Sequence, residues 1–382
     1  MIYQIIIASV LLVFFANLII NLRSLRTPDA NAKVPQPAPL ISVLVPARDE
    51  EKNIRNCVES LQNQDYPNYE ILVLDDNSTD NTRAIVKELA AKDELIHLHF
   101  GEPLPEDWAG KPFACYQLAQ KAKGDWLLFV DADTTHEPHM LRSTLAMAIE
   151  EKASLLSGFP RQLATSFTQK VIIPVFYFIL LGWIPLWLLH RSKKPKPSMA
   201  IGQFFFFAKE EYWRIGGHKA VQAKIVEDVL MGLEVAKHGG RHVAVDLSSV
   251  VSTNMYDDIG ETWRGLARSI YSLITMTPLG LIAVILLAYY VYIAPFFWLL
   301  NGFFMGSEPL LWRGIVVLQI VIALIMRWLV DSRFQGPAIS IWFHPFGMLF
   351  YLADVLYAMA RWLIGTGVSW KERFYGKEST VE

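Results

Sequence analysis

Apolar residues fall into two regimes along this chain. Between residues 40 and 130 they form short runs separated by polar clusters, whereas at the two ends they form long stretches with no charge at all. The short runs Ile41–Val45, Tyr69–Leu74, Leu95–Phe100 and Trp126–Val130 have the length of buried strands. Between them, Glu50–Leu61 carries Ile54, Val58 and Leu61 at helical spacing, and Thr82–Ala90 and Lys111–Lys121 are the next predicted helices. Strand and helix in alternation predict an α/β fold with a mostly parallel sheet covered by helices. On such sheets ligands bind beyond the carboxyl ends of the strands, so the residues just after each apolar run are the ones to inspect.

The long stretches predict membrane spans. Residues 1–22 hold no charge and are followed by Arg23 and Arg26. About twenty apolar residues at 1.5 Å rise cross a ~30 Å hydrocarbon core. The positive charge follows the run rather than preceding it, which predicts a retained anchor with its C-terminal flank in the cytoplasm. Further spans are predicted at about 273–300, 311–330 and 341–364, the last carrying His344, Pro345 and Asp354. Polar or kinking residues of that kind face a bundle interior rather than lipid. A different problem is posed by Val171–Leu189, interrupted by Pro174, Gly182 and Pro185. A single crossing there would divide one soluble domain between two sides of the membrane, so 171–190 is expected to be a re-entrant or interfacial hairpin. Its basic flank, Arg191, Lys193, Lys194 and Lys196, suits anionic headgroups. The expected organisation is an anchor at 1–22, a proline-rich linker at 23–39, a cytoplasmic domain at 40–262 and a membrane region at 263–382. Three C-terminal crossings would leave Lys371, Arg373 and Lys377 outside, against the positive-inside tendency; a re-entrant path for the last segment returns the tail to the cytoplasm.

Composition agrees with a multi-pass protein of the cell membrane: 382 residues, 53% hydrophobic, mean hydropathy +0.28. A net charge of −2 gives no basic field for nucleic acid. Cys57 and Cys115 match neither a metal nor a disulfide spacing and are expected to be buried helix residues.

Three strand ends finish in polar clusters: Pro46-Ala47-Arg48-Asp49-Glu50, Asp75-Asp76-Asn77-Ser78 and Asp131-Ala132-Asp133. A lone D-x-D is ordinarily a solvated turn, and Asp-Asn-Ser-Thr-Asp is also a helix cap. Three in order, each after an apolar strand, are more specific. Carboxylates can take hydrogen bonds from a base or ribose, and an aspartate pair can hold Mg²⁺ or Mn²⁺ together with phosphate oxygens. Such a set suits transfer from a nucleoside diphosphate sugar, with a further base for the acceptor hydroxyl.

Residues Ile41 through Asp133 resemble the nucleotide-binding half of family 2 glycosyltransferases with the GT-A fold. The resemblance implies that Pro46, Ala47, Arg48, Glu50, Asp76, Lys111 and Asp131 bind the donor, with Asp76 at the nucleobase. It implies a metal at Asp131 and Asp133, chiefly Asp133. It makes Glu227-Asp228, opening the predicted helix Val229–Lys237, the catalytic pair, with Asp228 as general base; an acidic first turn is also favoured by the helix dipole alone. Lys111 can reach phosphate or stand solvated. Trp108-Ala109-Gly110-Lys111-Pro112, Gly202-Gln203, Gly216-Gly217-His218 and Trp370-Lys371-Glu372-Arg373-Phe374-Tyr375 are similar to carotenoid (chlorobactene) glucosyltransferases and hopanoid-associated glycosyltransferases. This implies a nucleotide-sugar donor, such as a UDP-hexose, and a membrane lipid or isoprenoid acceptor. Gly202, Gln203, Arg264 and Arg268 are candidates for diphosphate or acceptor contact, although the arginines also fit snorkelling at the start of a span. No tryptophan follows Arg268, where polysaccharide synthases stack a growing chain, so single transfer is favoured over a processive synthase. A non-catalytic nucleotide-sugar-binding scaffold is the alternative from another class, and the full carboxylate set argues against it.

Overall fold

The computed structural model describes residues 1–188, 200–223, 227–256, 258–276, 278–306, 308–370 and 373–375. The basic flank Arg191 to Lys196 lies outside the described residues, as do Lys371 and Lys377. The chain divides into two compact units, one of Leu25–Arg161 and Leu186–Met255, the other of Met1–Ser24, Gln162–Pro185 and Tyr256–Glu382.

The first unit is built on a seven-stranded sheet. Its strands are β1 (Ile41–Ala47), β2 (Tyr69–Asp75), β3 (Ile96–Phe100), β4 (Trp126–Val130), β6 (Leu155–Phe159), β7 (Phe204–Ala208) and β8 (His242–Asp246), in the order β3-β2-β1-β4-β7-β6-β8. Strands β3, β2, β1 and β4 run parallel, as the alternation of strand and helix dictates. Strand β7, which the apolar pattern did not predict, enters antiparallel between β4 and β6. Its four phenylalanines divide by the strand period: Phe204 and Phe206 join the core on one face, Phe205 and Phe207 the core on the other. A strand buried on both faces reads as a continuous apolar run, which is why it shows no alternation. A short pair, β5 (Thr134–His136) and β9 (Val251–Thr253), lies antiparallel just past β4.

Several predicted boundaries move, the largest shift within the sheet unit being at its first predicted helix. The first helix starts at Ile54, not Glu50, because Asp49 takes a left-handed backbone (φ 52°) and the Glu50 amide donates to Thr82 Oγ1 at 2.8 Å. Both Cys57 and Cys115 are buried free thiols.

Among the described residues of the second unit four helices are long and apolar enough to cross a membrane: Ile2–Ser24, Gly280–Gly302, Leu310–Arg333 and His344–Ile364. The first and third run parallel, since Trp312 Nε1 donates to Tyr3 Oη at 3.2 Å and Gln319 Nε2 to Gln4 Oε1 at 2.8 Å. Arg23 and Arg333 therefore mark the same end of this pair, and Tyr3, Trp298 and Trp312 the other. The insert forms helices Phe167–Ile172 and Val175–Trp183, broken at Pro174. Nine residues in the second of these reach only about 14 Å. The carbonyls left open where it ends are taken by amides of the N-terminal span: Asn21 Nδ2 donates to Leu181 and Ile184 O, each at 2.7 Å, and Asn17 Nδ2 to Gly182 O at 2.9 Å.

Candidate active site

Two groups of residues gather at the carboxyl ends of β1, β2 and β4. In the first, β1 and β2 end in register with Ala47 opposite Asp75, and the Asp76 amide donates to Ala47 O at 2.8 Å. Pro46 and Ala47 are thus the last residues of β1, beside the mouth. Asp75 is consumed structurally: Arg83 binds one carboxylate oxygen (2.6 and 2.7 Å) and the Ser78 amide donates to the other. Asp76, buried at 5% exposure, is left at the tip of the strand, where Arg48 Nη1 donates to its carbonyl at 3.2 Å. Asp49, which sequence reasoning passed over, ties the two loops by accepting from the Thr79 amide at 2.8 Å. Glu50 accepts from Asn53 Nδ2 at 3.1 Å.

The second group forms around Lys111, in the first turn of the helix Gly110–Lys121. Its Nζ lies 2.6 Å from Asp131 Oδ1 and 3.8 Å from Glu227 Oε1, and donates to Gly202 O at 3.4 Å. Burial alone pulls the ammonium's pKa down, but the Asp131 and Glu227 carboxylates more than reverse this and hold it above the usual lysine range. The pair is partly exposed, so it contributes little to stability and matters chiefly as placed charge.

Asp228 shares the first helical turn with Glu227, and its Oδ1 accepts from the Val229 amide at 2.8 Å. Gly202 makes the close approach possible: a Cβ there would stand 3.2 Å from Asp228 Cβ and 3.6 Å from both Asp228 Oδ2 and Lys111 Nζ. Its neighbour Gln203 is buried and donates to Thr253 Oγ1 at 3.2 Å. The Asp133 carbonyl accepts from the Asn254 amide at 3.2 Å. Lys111, Asp131, Gly202, Glu227 and Asp228 are thereby brought together. Arg264 and Arg268 lie on the helix Ile259–Met276 of the other unit.

Behind Lys111, Tyr212 Oη and His218 Nδ1 are 2.9 Å apart, and the His218 ring packs edge-on to Phe129 at 4.8 Å. Gly216, left-handed at φ 86°, ends the helix Lys209–Arg214 and turns the chain toward this contact. Gln222 ties down the loop before Lys111, its carbonyl accepting from the Ala109 amide at 2.6 Å and its side chain donating to Asp107 at 2.7 Å. Nothing in the sequence marked Gln222 or Asp107; the motif Trp108-Ala109-Gly110-Lys111 marked only the loop.

Residues 42–216 match the sequence model of Glycosyl transferase family 2. This stretch is a Glycosyl transferase family 2 domain. A similar fold is found in the mannosyltransferase PcManGT from Pyrobaculum calidifontis, solved in complex with GDP-Man and Mn²⁺. That structure is 16% identical, with a TM-score of 0.51 over 94% of this chain and 98% of that one. The family 2 domain has the GT-A fold. Among curated proteins, a 4,4'-diaponeurosporenoate glycosyltransferase of Staphylococcus haemolyticus is 29% identical over 194 residues, and one of Staphylococcus aureus 27%. In both cases the match covers 50% of each chain, so the chain spans about half the length of the curated relatives it matches.

Proposed function

We propose that this chain is an inverting glycosyltransferase of the cell membrane that moves a single sugar from a nucleoside diphosphate sugar, a UDP-hexose, to the hydroxyl of an isoprenoid or other lipid acceptor. The observation that carries the proposal is the convergence of Lys111, Asp131, Glu227 and Asp228 around Gly202 at the strand ends of a family 2 domain. The relatives' activity on a diaponeurosporenoate and the four membrane-length helices support an acceptor dissolved in the bilayer. Arg23 and Arg333 at one end of the parallel helix pair favour that end being cytoplasmic.

Arg48 and Asp76 flank the β1 and β2 tips, where the nucleoside is held. Lys111 lies where the diphosphate's negative charge accumulates as the sugar leaves, and a preorganised cation there stabilises the transition state more than the ground state. Asp228 takes the proton of the acceptor hydroxyl as that oxygen forms its bond to the anomeric carbon, while the bond from that carbon to the diphosphate breaks on the opposite face. Its Oδ1 is fixed by its own helix, so the carboxylate is oriented before the acceptor arrives.

The family resemblance implies Mg²⁺ or Mn²⁺, and the chemistry of the donor set fits: Asp131 and Asp133, two residues apart after β4, offer carboxylate oxygens, and a metal on Asp131 would share that carboxylate with Lys111, whose Nζ lies 2.6 Å from Oδ1. Among the described residues no three metal-ligating side chains cluster, so oxygens of the diphosphate must complete the shell. When bound, the metal neutralises charge on the departing diphosphate. Donor hydrolysis without acceptor, then transfer with a lipid extract, each with and without EDTA, tests the proposal. Lipid-dependent sugar transfer lost in EDTA and restored by Mn²⁺ or Mg²⁺ is expected; full activity in chelator would sink the metal assignment.

A further inference from the structure

Most polar side chains inside the membrane unit have their bonds. Asn17 and Asn21 do, Gln319 Nε2 donates to Gln4 although its Oε1 has no partner among the described residues, and Arg327 Nε donates to Asp331 Oδ2 at 2.9 Å while its Nη2 donates to Val171 O at 3.3 Å. Tyr271 Oη and both Asp354 carboxylate oxygens lack a hydrogen-bond partner among the described residues, and so does a group in which two such side chains lie against one ring. His344 is fully buried, yet neither ring nitrogen has a hydrogen-bond partner among the described residues, and the same holds for Arg327 Nη1.

These orphaned groups share one neighbour. Arg327 Cζ lies 6.0 Å from the Phe178 ring centroid, and the His344 ring lies 4.9 Å from it. Tyr292 completes the cluster, with its ring 5.0 Å from Phe178 and 6.0 Å from His344. Its hydroxyl accepts from Trp183 Nε1 at 3.1 Å, which leaves the hydroxyl hydrogen available to donate. Tyr292 belongs to a π-helical turn, Tyr289–Ile293, set into an otherwise α-helical span. Turns of this kind occur often at functional sites.

An unbonded imidazole in an apolar interior carries a desolvation cost that a phenylalanine would avoid, so its presence calls for a ligand. The ring offers one donor and one acceptor, and Arg327 Nη1 and Tyr292 Oη add donors. Together they complement an oxygen group that both gives and takes hydrogen bonds. Asp331 already balances the Arg327 charge, so the cluster has no surplus of positive charge for a phosphate. The aromatic surroundings, Phe178 and Phe296 among them, suit an apolar chain behind that oxygen.

We infer that His344, Arg327 and Tyr292 form a site for the hydroxyl or carboxyl end of a long-chain isoprenoid, holding the acceptor in the membrane unit. The word acceptor rests on the proposed transferase activity; the binding site does not.

The test uses the full chain in detergent, with geranylgeraniol, geranylgeranoic acid and the matching oxygen-free hydrocarbon as probes. Either oxygen-bearing probe should raise the melting temperature of the wild type, with the hydrocarbon ineffective; which of the two acts separates a hydroxyl from a carboxyl ligand. In His344→Phe the protein alone should melt no lower than wild type, the discrimination should vanish, and the KM for a lipid acceptor should rise about tenfold with nucleotide-sugar binding retained. Tyr292→Phe should weaken the same discrimination, and provides the reading should His344→Phe fail to fold. Equal response of the wild type to alcohol, acid and hydrocarbon overturns the site, as does discrimination that survives in the folded variants. Wild-type protein that binds the probe yet transfers no sugar would overturn the transferase proposal and leave the site standing.

Discussion

The two units handle polar groups in opposite ways. In the unit that carries the family 2 domain, polar side chains stand at strand ends and helix starts and bind backbone amides at those same tips: Asp49 with Thr79, Asp75 with Ser78, Asp228 with Val229. In the membrane unit they stand inside helices and bind across more than a hundred residues, as Asn21 does with Leu181 and Arg327 with Val171. Water can rescue a loop whose partner is lost. A bilayer cannot, so there the same chemistry serves the backbone first.

The sharpest test of the first half of this comparison is Asp228→Asn. It keeps size and the bond from the Val229 amide but cannot take a proton, so turnover should fall by the ~10²–10⁴-fold typical of general base removal while donor binding survives. Glu227→Gln should cost less, since its carboxylate faces Lys111. If Glu227→Gln abolishes turnover and Asp228→Asn does not, the base is Glu227. Normal turnover in both at saturating substrates would make the pair a helix start and nothing more.

A second expectation concerns acid. Burial pushes His136 down to about 3, and burial together with the Lys111 charge does the same to His218. Unfolded, both titrate near the usual ~6.5, so below that pH the unfolded chain takes up protons that the folded one refuses. Their contribution to stability is complete above about 6.5 and declines as pH falls toward 3, by about 1.4 kcal/mol per pH unit for each histidine once well inside that window. Nucleotide-binding loss in denaturant, followed at several pH values, should show this slope, and His136→Gln with His218→Gln should flatten it. A wild-type slope near zero below pH 6 would mean that both rings are protonated in the folded chain, and a slope of about half the expected one that a single ring is.

For the membrane unit, Asn17→Leu with Asn21→Leu leaves the carbonyls of Leu181, Gly182 and Ile184 without those amides. A cost of about 1–3 kcal/mol in unfolding of the detergent-solubilised chain is expected, the range for a buried polar group left unbonded. No loss would mean that the insert finds other partners, and the contrast between the units would weaken.

What the sequence made legible follows the same division. Strand ends rich in carboxylates could be read because short apolar runs announce strands and their ends announce sites. Strand β6 was not seen, as Ser157 and Gly158 interrupt its apolar run, nor was β7, whose four phenylalanines do not alternate. The insert was expected from Val171 but its helix begins at Phe167, under a capping box formed by Ser166 and Gln169. That Ser-x-x-Gln signal was present and went unread. The amides of Asn17 and Asn21 could not have been interpreted from local pattern at all, because their partners lie some 160 residues away.

The smallest effect belongs to the pair Gln4 and Gln319, which joins the parallel helices Ile2–Ser24 and Leu310–Arg333 inside the bundle. Interhelical hydrogen bonds in membranes average only about 0.6 kcal/mol, because a helix freed from its partner finds other groups to bond. Gln319 Nε2 donates to both the side chain and the carbonyl of Gln4, so Gln319→Leu removes two bonds at once and leaves the Gln4 amide buried. Replacing both residues by leucine removes the orphan and restores apolar packing. The double variant should therefore be closer to wild type than Gln319→Leu alone, by a few tenths of a kcal/mol in thermal unfolding at matched detergent. If the double variant is instead the less stable, the two glutamines do more than hold each other, and polar groups in this end of the bundle serve a third partner, as inferred for His344 at the other.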